Sequence, residues 1–575
     1  MKFKFKIFRR CPKTNRIVGF DVKSVWYWIL FPIIGLGALI WFLIRVIPKP
    51  SRAAYPCQRV AMPIAAGFLG FLTGITGIAA IYRIIKNRKS FKSVQSVAKG
   101  IVFVLTLYLV VYLFVPAAFT GCGAAGSNSS SEDIPVATLP PDDNNDNISN
   151  TAENSIGLIT EITEATEANT QSLSKDPTKS DILASEKYSV PSKGIGIYPG
   201  RVVYAHNPAA VKFNGKGIWW EDQYTIPEEV KKMFTESLCS LTEKNNTVDA
   251  WDALFRNFNG DGEPYKKGEK IVIKLNMNQD GGGGGSMHIP SPQLIEALVS
   301  ELIHAAGANP ADITITDPSR SIGDQIYNRF INNADVEMKN VRFVVQNRIN
   351  AVPDKTDPIY FADGQIGYVS TDYTAAKYLI NLAVFRVHDA FGVTLCGKNH
   401  FGSVKFDSDE VFVPINMHPS WDNGYGKYSH ITDLIAFKHL GGKTLLYMID
   451  GLYTAYHQGD NTVRKMKSFG NEYPSSLFMS QDPCAIDSVA YDYLSVEIAL
   501  NSEMKSQMAA NAPDNYIIEA AYADAPPSNT NYDPNKTGVR VSLGAYEHWN
   551  NDTDKQYSRN LGKDYGIEFI KLELD

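Results

Sequence analysis

The chain has 575 residues, which is too long for one compact core, so two or more separate regions are expected. Its 56 basic and 61 acidic side chains give a formal net charge of -5, and a balance so near neutral argues against a nucleic-acid partner. The six cysteines show no C-x-x-C pair, so neither a cysteine-held zinc site nor an iron–sulfur cluster is expected.

Three apolar runs in the N-terminal part are each close to the ~20 residues that cross a bilayer as a helix. They are Val25 to Ile44, Val60 to Ile81 and Ile101 to Phe119, and none contains a charged residue. Buried helices of a soluble domain, the alternative, normally keep a charged face. Residues 1–122 are therefore predicted to be a membrane anchor of three transmembrane helices whose partner is the lipid bilayer.

The basic residues beside these runs predict the orientation of the anchor. Eight Lys and Arg side chains precede the first run and six separate the second from the third, but only four lie between the first two. The positive-inside rule then places the N-terminus in the cytoplasm and everything after Phe119 outside it. The third run ends near Cys122 in a segment that resembles a bacterial lipoprotein signal, and an ordinary third span is the alternative.

Residues 123–193 are rich in Ser, Thr, Asn, Asp, Glu and Pro, which predicts a disordered linker. Residues 194–575 alternate β-branched runs with amphipathic segments, the pattern of an α/β domain, which the orientation of the anchor makes extracytoplasmic. Ser291, Pro292 and Gly307 bound a predicted helix between the first two strands, so we expect a mainly parallel sheet flanked by helices. The predicted strands are Ile271 to Met277, Ile313 to Thr316, Val341 to Val345, Tyr378 to Val387 and Thr444 to Ile449.

The first predicted strand carries polar side chains on one face. The two-residue period puts Lys274, Asn276 and Asn278 together and points Ile273, Leu275 and Met277 the other way. A lysine in an apolar strand is costly to bury unless an anion meets it, so Lys274 and Asn276 are candidate substrate-binding residues, with a structural ion pair as the alternative. The glycine run 281–285 that follows lacks a nucleotide-binding pattern, and a flexible loop is the preferred interpretation.

The densest group of candidate residues follows the strand that begins at Tyr378. His388 and His400 are candidate catalytic bases, since histidine titrates near neutral pH, and Lys398 is the third candidate catalytic residue. Asn399 beside it can hold an oxyanion or carboxylate of the substrate.

Four carboxylates stand at the ends of predicted strands or at the start of a helix. Asp317, Asp450 and Asp487 would suit a hard or borderline divalent metal ion. For Asp317 the alternative is a turn in which it bonds Ser319. Asp482, a fourth candidate for substrate binding, also fits the N-cap of a helix whose first residue is Pro483.

These segments together resemble the family called domain of unknown function 362. The resemblance covers about residues 268–494, and its most specific element is the loop Lys398-Asn399-His400-Phe401-Gly402. Many members of that family carry ferredoxin-type cysteine clusters, which this sequence lacks. The resemblance therefore implies an α/β ligand-binding or catalytic domain, and a redox protein ranks behind these two.

Two functions remain open from the sequence. The first is an enzyme that acts on a small anionic substrate, in which case the candidate residues should face one cleft, because the carboxyl ends of parallel strands meet at one edge. The second is a non-catalytic binding module, for which an exposed aromatic patch is expected around Trp219 and Trp220.

Overall fold

The computed structural model describes residues 8–10, 17–20, 178–278, 286–389, 391–406, 424–508 and 510–574. The chain divides into two compact units, Met1–Ile148 and Ser149–Asp575. In the first, Phe8–Arg10 (β1) and Ile17–Phe20 (β2) form an antiparallel pair. The three predicted membrane spans, Cys122, most of the predicted linker and the glycine run 281–285 lie outside the described residues. Within the described ranges, no helix is both long and apolar enough to cross a membrane.

The second unit contains thirteen described strands, which form one large sheet and two small ones. In chain order they are Arg201–His206 (β3), Ile271–Leu275 (β4), Ile313–Asp317 (β5), Arg342–Val345 (β6), Ile359–Tyr360 (β7), Ile366–Tyr368 (β8), Tyr378–Val384 (β9), Arg386–His388 (β10), Gly392–Thr394 (β11), Lys405–Phe406 (β12), Thr444–Gly451 (β13), Ser476–Ser480 (β14) and Glu568–Glu573 (β15).

The large sheet has eight strands in the order β15-β3-β14-β13-β9-β4-β5-β6. Neighbouring strands are parallel throughout, except that β14 runs antiparallel to both β13 and β3. The expectation of a mainly parallel sheet is therefore confirmed. The small sheets are the β10–β11 hairpin and the order β12-β8-β7.

Helices flank the large sheet, as predicted. In chain order they are Lys179–Leu183 (α1), Pro227–Thr242 (α2), Thr247–Asn259 (α3), Pro292–His304 (α4), Asp324–Ile331 (α5), Thr371–Ala375 (α6), Cys396–Asn399 (α7), His430–Ala436 (α8), Pro483–Leu500 (α9), Ser502–Gln507 (α10) and Asn515–Ala521 (α11).

The sheet separates two hydrophobic cores, because successive side chains of a strand point to opposite faces. In β3, Val202 and Tyr204 enter the core beneath α8, α9 and α11, whereas Val203 and Ala205 enter the core beneath α2, α3, α4 and α5. In β4, Ile271, Ile273 and Leu275 all pack in the second core, which leaves Lys274 facing the other way, as the alternation predicted.

Two boundaries differ by more than two residues from those that the sequence predicted. The strand expected from Tyr378 to Val387 ends at Val384, and the chain continues into the β10–β11 hairpin, which begins at Arg386. The described part of the second unit begins at Thr178, inside the predicted linker, where Thr178 caps α1 and Ile182 is buried in a core.

Candidate functional site

The carboxyl ends of β4 and β5 meet in a buried ion pair. Lys274 Nζ lies 3.2 Å from Asp317 Oδ2. The same carboxylate accepts hydrogen bonds from the Met277 N–H at 3.0 Å and from the Ser319 hydroxyl at 3.2 Å. Burial lowers the pKa of Lys274, and the adjacent Asp317 opposes that shift. The alternatives kept for both residues, a structural ion pair and an Asp317–Ser319 turn, are thus both present.

Asn399 links this ion pair to the centre of the sheet. Its amide oxygen accepts from Lys274 Nζ at 3.2 Å, and its amide nitrogen donates to the Asn381 side chain at 2.8 Å. Asn381 stands opposite Lys274 in the β4–β9 register and also donates to His400 Nε2 at 3.1 Å. Lys274, Asn399 and His400 therefore share one buried polar network, in which Asn381 is a member that sequence reasoning did not select.

A buried arginine stands beside this network at the start of β10. Arg386 is 1 % exposed, and it donates to the His288 carbonyl at 2.8 Å and to Asn276 Oδ1 at 3.3 Å. A third bond, 3.4 Å long, reaches the carbonyl of Asn278, whose side chain accepts from Arg320 at 2.7 Å. Asn278 thus holds two guanidinium groups at one point.

The charge of Arg386 has no counter-ion in the described part of the chain. No carboxylate there lies within ion-pair distance of Arg386, and its Nε meets no acceptor. Asp460 raises the pKa of Arg386, but its own carboxylate accepts from the Tyr456 N–H at 2.9 Å. Burial dominates and lowers the pKa of Arg386 to about 10.

Lys398 in α7 completes a group of four cations, here called the cation cluster: Lys274, Arg320, Arg386 and Lys398. Burial, together with the charges of the other three members, lowers the pKa of Lys398 to about 7, although Asp317 opposes the shift. Its Nζ lies 4.0 Å from the centre of the Phe401 ring, an attractive cation–π contact. An amine with this pKa exchanges a proton readily near neutral pH.

The two candidate histidines differ in their surroundings. His388 lies 3.1 Å from the exposed carboxylate of Asp389, and burial lowers its pKa to about 4 although Asp389 opposes the shift. The charge of Lys398 contributes to the lowering, so His388 adjoins the cation cluster. Burial also lowers the pKa of His400, to about 3, and its Nε2 accepts from Asn381. Both rings are therefore neutral near pH 7, and His400, which directly follows α7, is held by Asn381 in the core.

The backbone of Gly402, which has no side chain, packs directly against the Lys274–Asp317 ion pair. A Cβ at this position would lie 2.9 Å from Asp317 Oδ1, 3.2 Å from Ser319 Oγ and 3.3 Å from Lys274 Nζ. These approaches are closer than a real Cβ normally makes, so a side chain here would displace the pair. Close packing against the Lys274–Asp317 pair therefore explains the glycine at position 402. In the sequence this glycine stood out only as part of the loop 398–402.

Three of the predicted site carboxylates bind backbone N–H groups elsewhere. Asp450 accepts from the Ser291 N–H at 2.6 Å and from the Leu452 N–H at 3.0 Å. Asp482 caps α9 through the Cys484 and Ala485 N–H groups and also accepts from the N–H groups of Ile195 and Ala545.

Asp487 completes this set and holds α7 in place. It accepts from the Cys396 and Gly397 N–H groups, both at 2.8 Å, and from the Tyr516 hydroxyl at 2.7 Å. Asp317, Asp450 and Asp487 thus have separate partners, and the described residues contain no group of three or more His, Cys, Asp or Glu side chains that could hold a metal ion.

The structure therefore brings together part of the predicted site. Lys274, Asn276, Asp317, Lys398, Asn399 and His400 adjoin, with His388 at their margin, whereas Asp450, Asp482 and Asp487 serve the framework. Arg386 and Arg320 were not among the predicted site residues. Arg386 directly follows an apolar strand, and that position is the sequence signal that points to it. The aromatic patch expected of a binding module is not centred on Trp219, which is fully buried and donates to the Ser286 carbonyl.

Comparison with known proteins supports the family resemblance. Residues 271–492 match the family described as Domain of unknown function (DUF362), and the match includes all ten predicted site residues. No curated protein and no solved structure matches the chain.

Proposed function

We propose that this chain, whose residues 271–492 form a DUF362 domain, binds and acts on a small anionic substrate at the carboxyl edge of β4, β5 and β9. The observation that carries the proposal is Arg386, a buried guanidinium without a carboxylate partner among the described residues. An uncompensated buried charge is costly in free energy, and a bound anion is the simplest compensation.

Lys398 is the proposed acid–base residue. With a pKa of about 7 it holds and releases a proton near neutral pH, which general acid–base catalysis requires. A neighbouring anion would favour its protonated form and raise that pKa. His388 beside it is neutral and can accept a proton, whereas His400 serves in positioning through Asn381.

Thermal unfolding of the full chain in detergent micelles tests this binding. Inorganic phosphate, sulfate, malonate and acetate are added separately, and at least one anion is expected to raise the transition temperature because it binds only the folded state. Arg386→Gln should lose the response. Arg256→Gln is the matched control, since Arg256 is exposed on α3, where it pairs with Asp252 and donates to the Gly262 carbonyl. A wild-type transition that none of the four anions shifts would contradict the proposal.

We also propose that residues 1–122 anchor the domain in the membrane as three helices and hold it outside the cytoplasm. The support is the charge-free length of the runs at 25–44, 60–81 and 101–119 and their basic flanks. Protease added to intact spheroplasts should remove the C-terminal domain, and a protected domain would refute this orientation.

We also propose, as the alternative to a bound anion, a divalent metal ion that takes the place of Lys274 at the Asp317 carboxylate. Metal analysis of the full chain, purified without chelator, is the test. A stoichiometric ion in the wild type that is lost in Asp317→Asn would support it, and equal metal content in the two proteins would count against it.

A further inference from the structure

The two guanidinium groups of the cation cluster have no carboxylate partner among the described residues. Asp317 is engaged by Lys274 Nζ, the Met277 N–H and the Ser319 hydroxyl. Arg320 and Arg386 form no ion pair with any described carboxylate, and both bond Asn278. Two guanidinium charges therefore stand together, with the amine of Lys398 near them.

The cations of this cluster come from four different places in the fold. Lys274 is in β4, Arg320 follows β5, Arg386 begins β10 and Lys398 is in α7. The Arg386 guanidinium already donates to three acceptors, and Nε is the nitrogen left without one. Arg386 therefore offers a single further contact and not the two-pronged fork that grips a planar carboxylate.

We infer that the ligand of this site carries a phosphate group, a tetrahedral oxyanion with about two negative charges and three or more acceptor oxygens. This inference rests on the proposed anion site and names its chemistry. Single contacts from separate elements suit an anion whose oxygens point in several directions. Two neighbouring guanidinium charges suit a dianion, since a monoanion would leave one of them uncompensated.

Calorimetric titration of the full chain in micelles separates charge from shape. Five probes are used: inorganic phosphate, methyl phosphate, sulfate, dimethyl phosphate and malonate. Dimethyl phosphate keeps the tetrahedral shape with one charge, and malonate keeps two charges on planar carboxylates. Phosphate or methyl phosphate is expected to bind, with sulfate next, and both dimethyl phosphate and malonate should bind at least about tenfold more weakly.

Two variants link that ranking to the cluster. Arg386→Gln should weaken phosphate binding by about tenfold or more, and Lys398→Met, which replaces the amine by an apolar chain of similar length, keeps the test open if Arg386→Gln does not fold. Arg256→Gln should bind phosphate like the wild type.

The ranking of the five probes distinguishes a failure of the phosphate inference from a failure of the proposed anion site. Tighter binding of malonate, or equal binding of dimethyl phosphate, would overturn the phosphate inference and leave the proposed anion site standing. Binding of none of the five probes would overturn both. Methyl phosphate bound as tightly as phosphate identifies a phosphomonoester as the ligand, whereas phosphate bound alone identifies the free ion, and either result supports the inference.

Discussion

The residues around Asp514 and those around Arg386 are both buried and charged, but their charges are balanced differently. Asp514 lies 2.5 Å from Lys179 Nζ and accepts from the hydroxyls of Tyr425 and Tyr546, both at 2.7 Å. His548 pairs with Asp492 and stands 3.5 Å from Asp514. We call these six residues the Asp514 network, and each of its charges has an opposite neighbour.

The pKa directions in the two regions record this difference. Burial lowers the pKa of His548, but the hydrogen bonds to Asp492 and Asp514 outweigh this effect and raise the pKa of His548 to about 9. In the cation cluster the neighbours of Lys398 add to the effect of burial, and its pKa falls to about 7. The charges around Asp514 are thus balanced within the protein, whereas Arg386 has no carboxylate partner among the described residues. We infer structure from the first pattern and ligand binding from the second.

The largest expected effect comes from breaking the balanced network. Asp514→Asn removes a fully buried carboxylate and leaves Lys179 and His548 without it, which should lower the free energy of unfolding by about 3 kcal/mol or more. Urea unfolding of the full chain, followed by tryptophan fluorescence, measures the loss. Asp524→Asn, at an exposed position, is the control, and equal stability of the two variants would show that the network is not structural.

The backbone above the ion pair should tolerate no side chain. Gly402→Ala places a Cβ 2.9 Å from Asp317 Oδ1, so the Lys274–Asp317 pair must shift, at a cost of about 1–3 kcal/mol. Gly459→Ala is the control, since Gly459 is exposed and its Cβ would meet only the His457 ring. Phosphate titration of both variants shows whether the site moves with the pair, and unchanged unfolding and binding in Gly402→Ala would refute this tight approach.

Lys398 should make anion binding depend on pH. Its folded-state pKa of about 7 lies below the usual lysine value of 10.5, so between these two pH values the unfolded chain holds a proton that the folded chain has lost. Stability of the unliganded chain should therefore rise with pH across that window. Sulfate affinity should fall as the pH rises, by up to about tenfold for each pH unit above 7, because the protonated amine binds the anion.

Sulfate stays dianionic throughout this range, so its own ionisation does not contribute to the profile. Lys398→Arg keeps the charge and should flatten the pH dependence. A wild-type profile that is already flat between pH 6 and 9 would remove Lys398 from the proposed acid–base role.

The smallest change in stability is expected for Arg386→Met, and this variant tests most directly whether Arg386 differs from Asp514. Arg386→Met loses three hydrogen bonds but also removes an uncompensated buried charge, and these terms oppose each other. The free energy of unfolding of the unliganded chain should change by no more than about 1 kcal/mol. A loss as large as that of Asp514→Asn would mean that Arg386 is as structural as Asp514.

The sequence predicted the part of the site that follows strand ends. Lys274, Asp317, Lys398 and Asn399 were selected because polar residues end apolar runs, and the structure places them together. The same rule selected Asp450, which ends β13 but binds the Ser291 and Leu452 amides. A strand end alone does not show which donors the rest of the fold brings to a carboxylate.

By itself, the sequence determined the α/β class, the alternation of β4 and the strand–helix–strand unit through α4, because these follow from periodicity within a few residues. Only the tertiary structure decided the order of the eight strands, the balance of charge around Asp514 and its lack around Arg386. Those features depend on contacts between residues that are distant in the chain, such as Arg386 with Asn276, 110 positions apart, and Lys179 with Asp514, 335 positions apart. Local pattern places a charge on an element, but only the packed fold decides whether that charge meets its opposite.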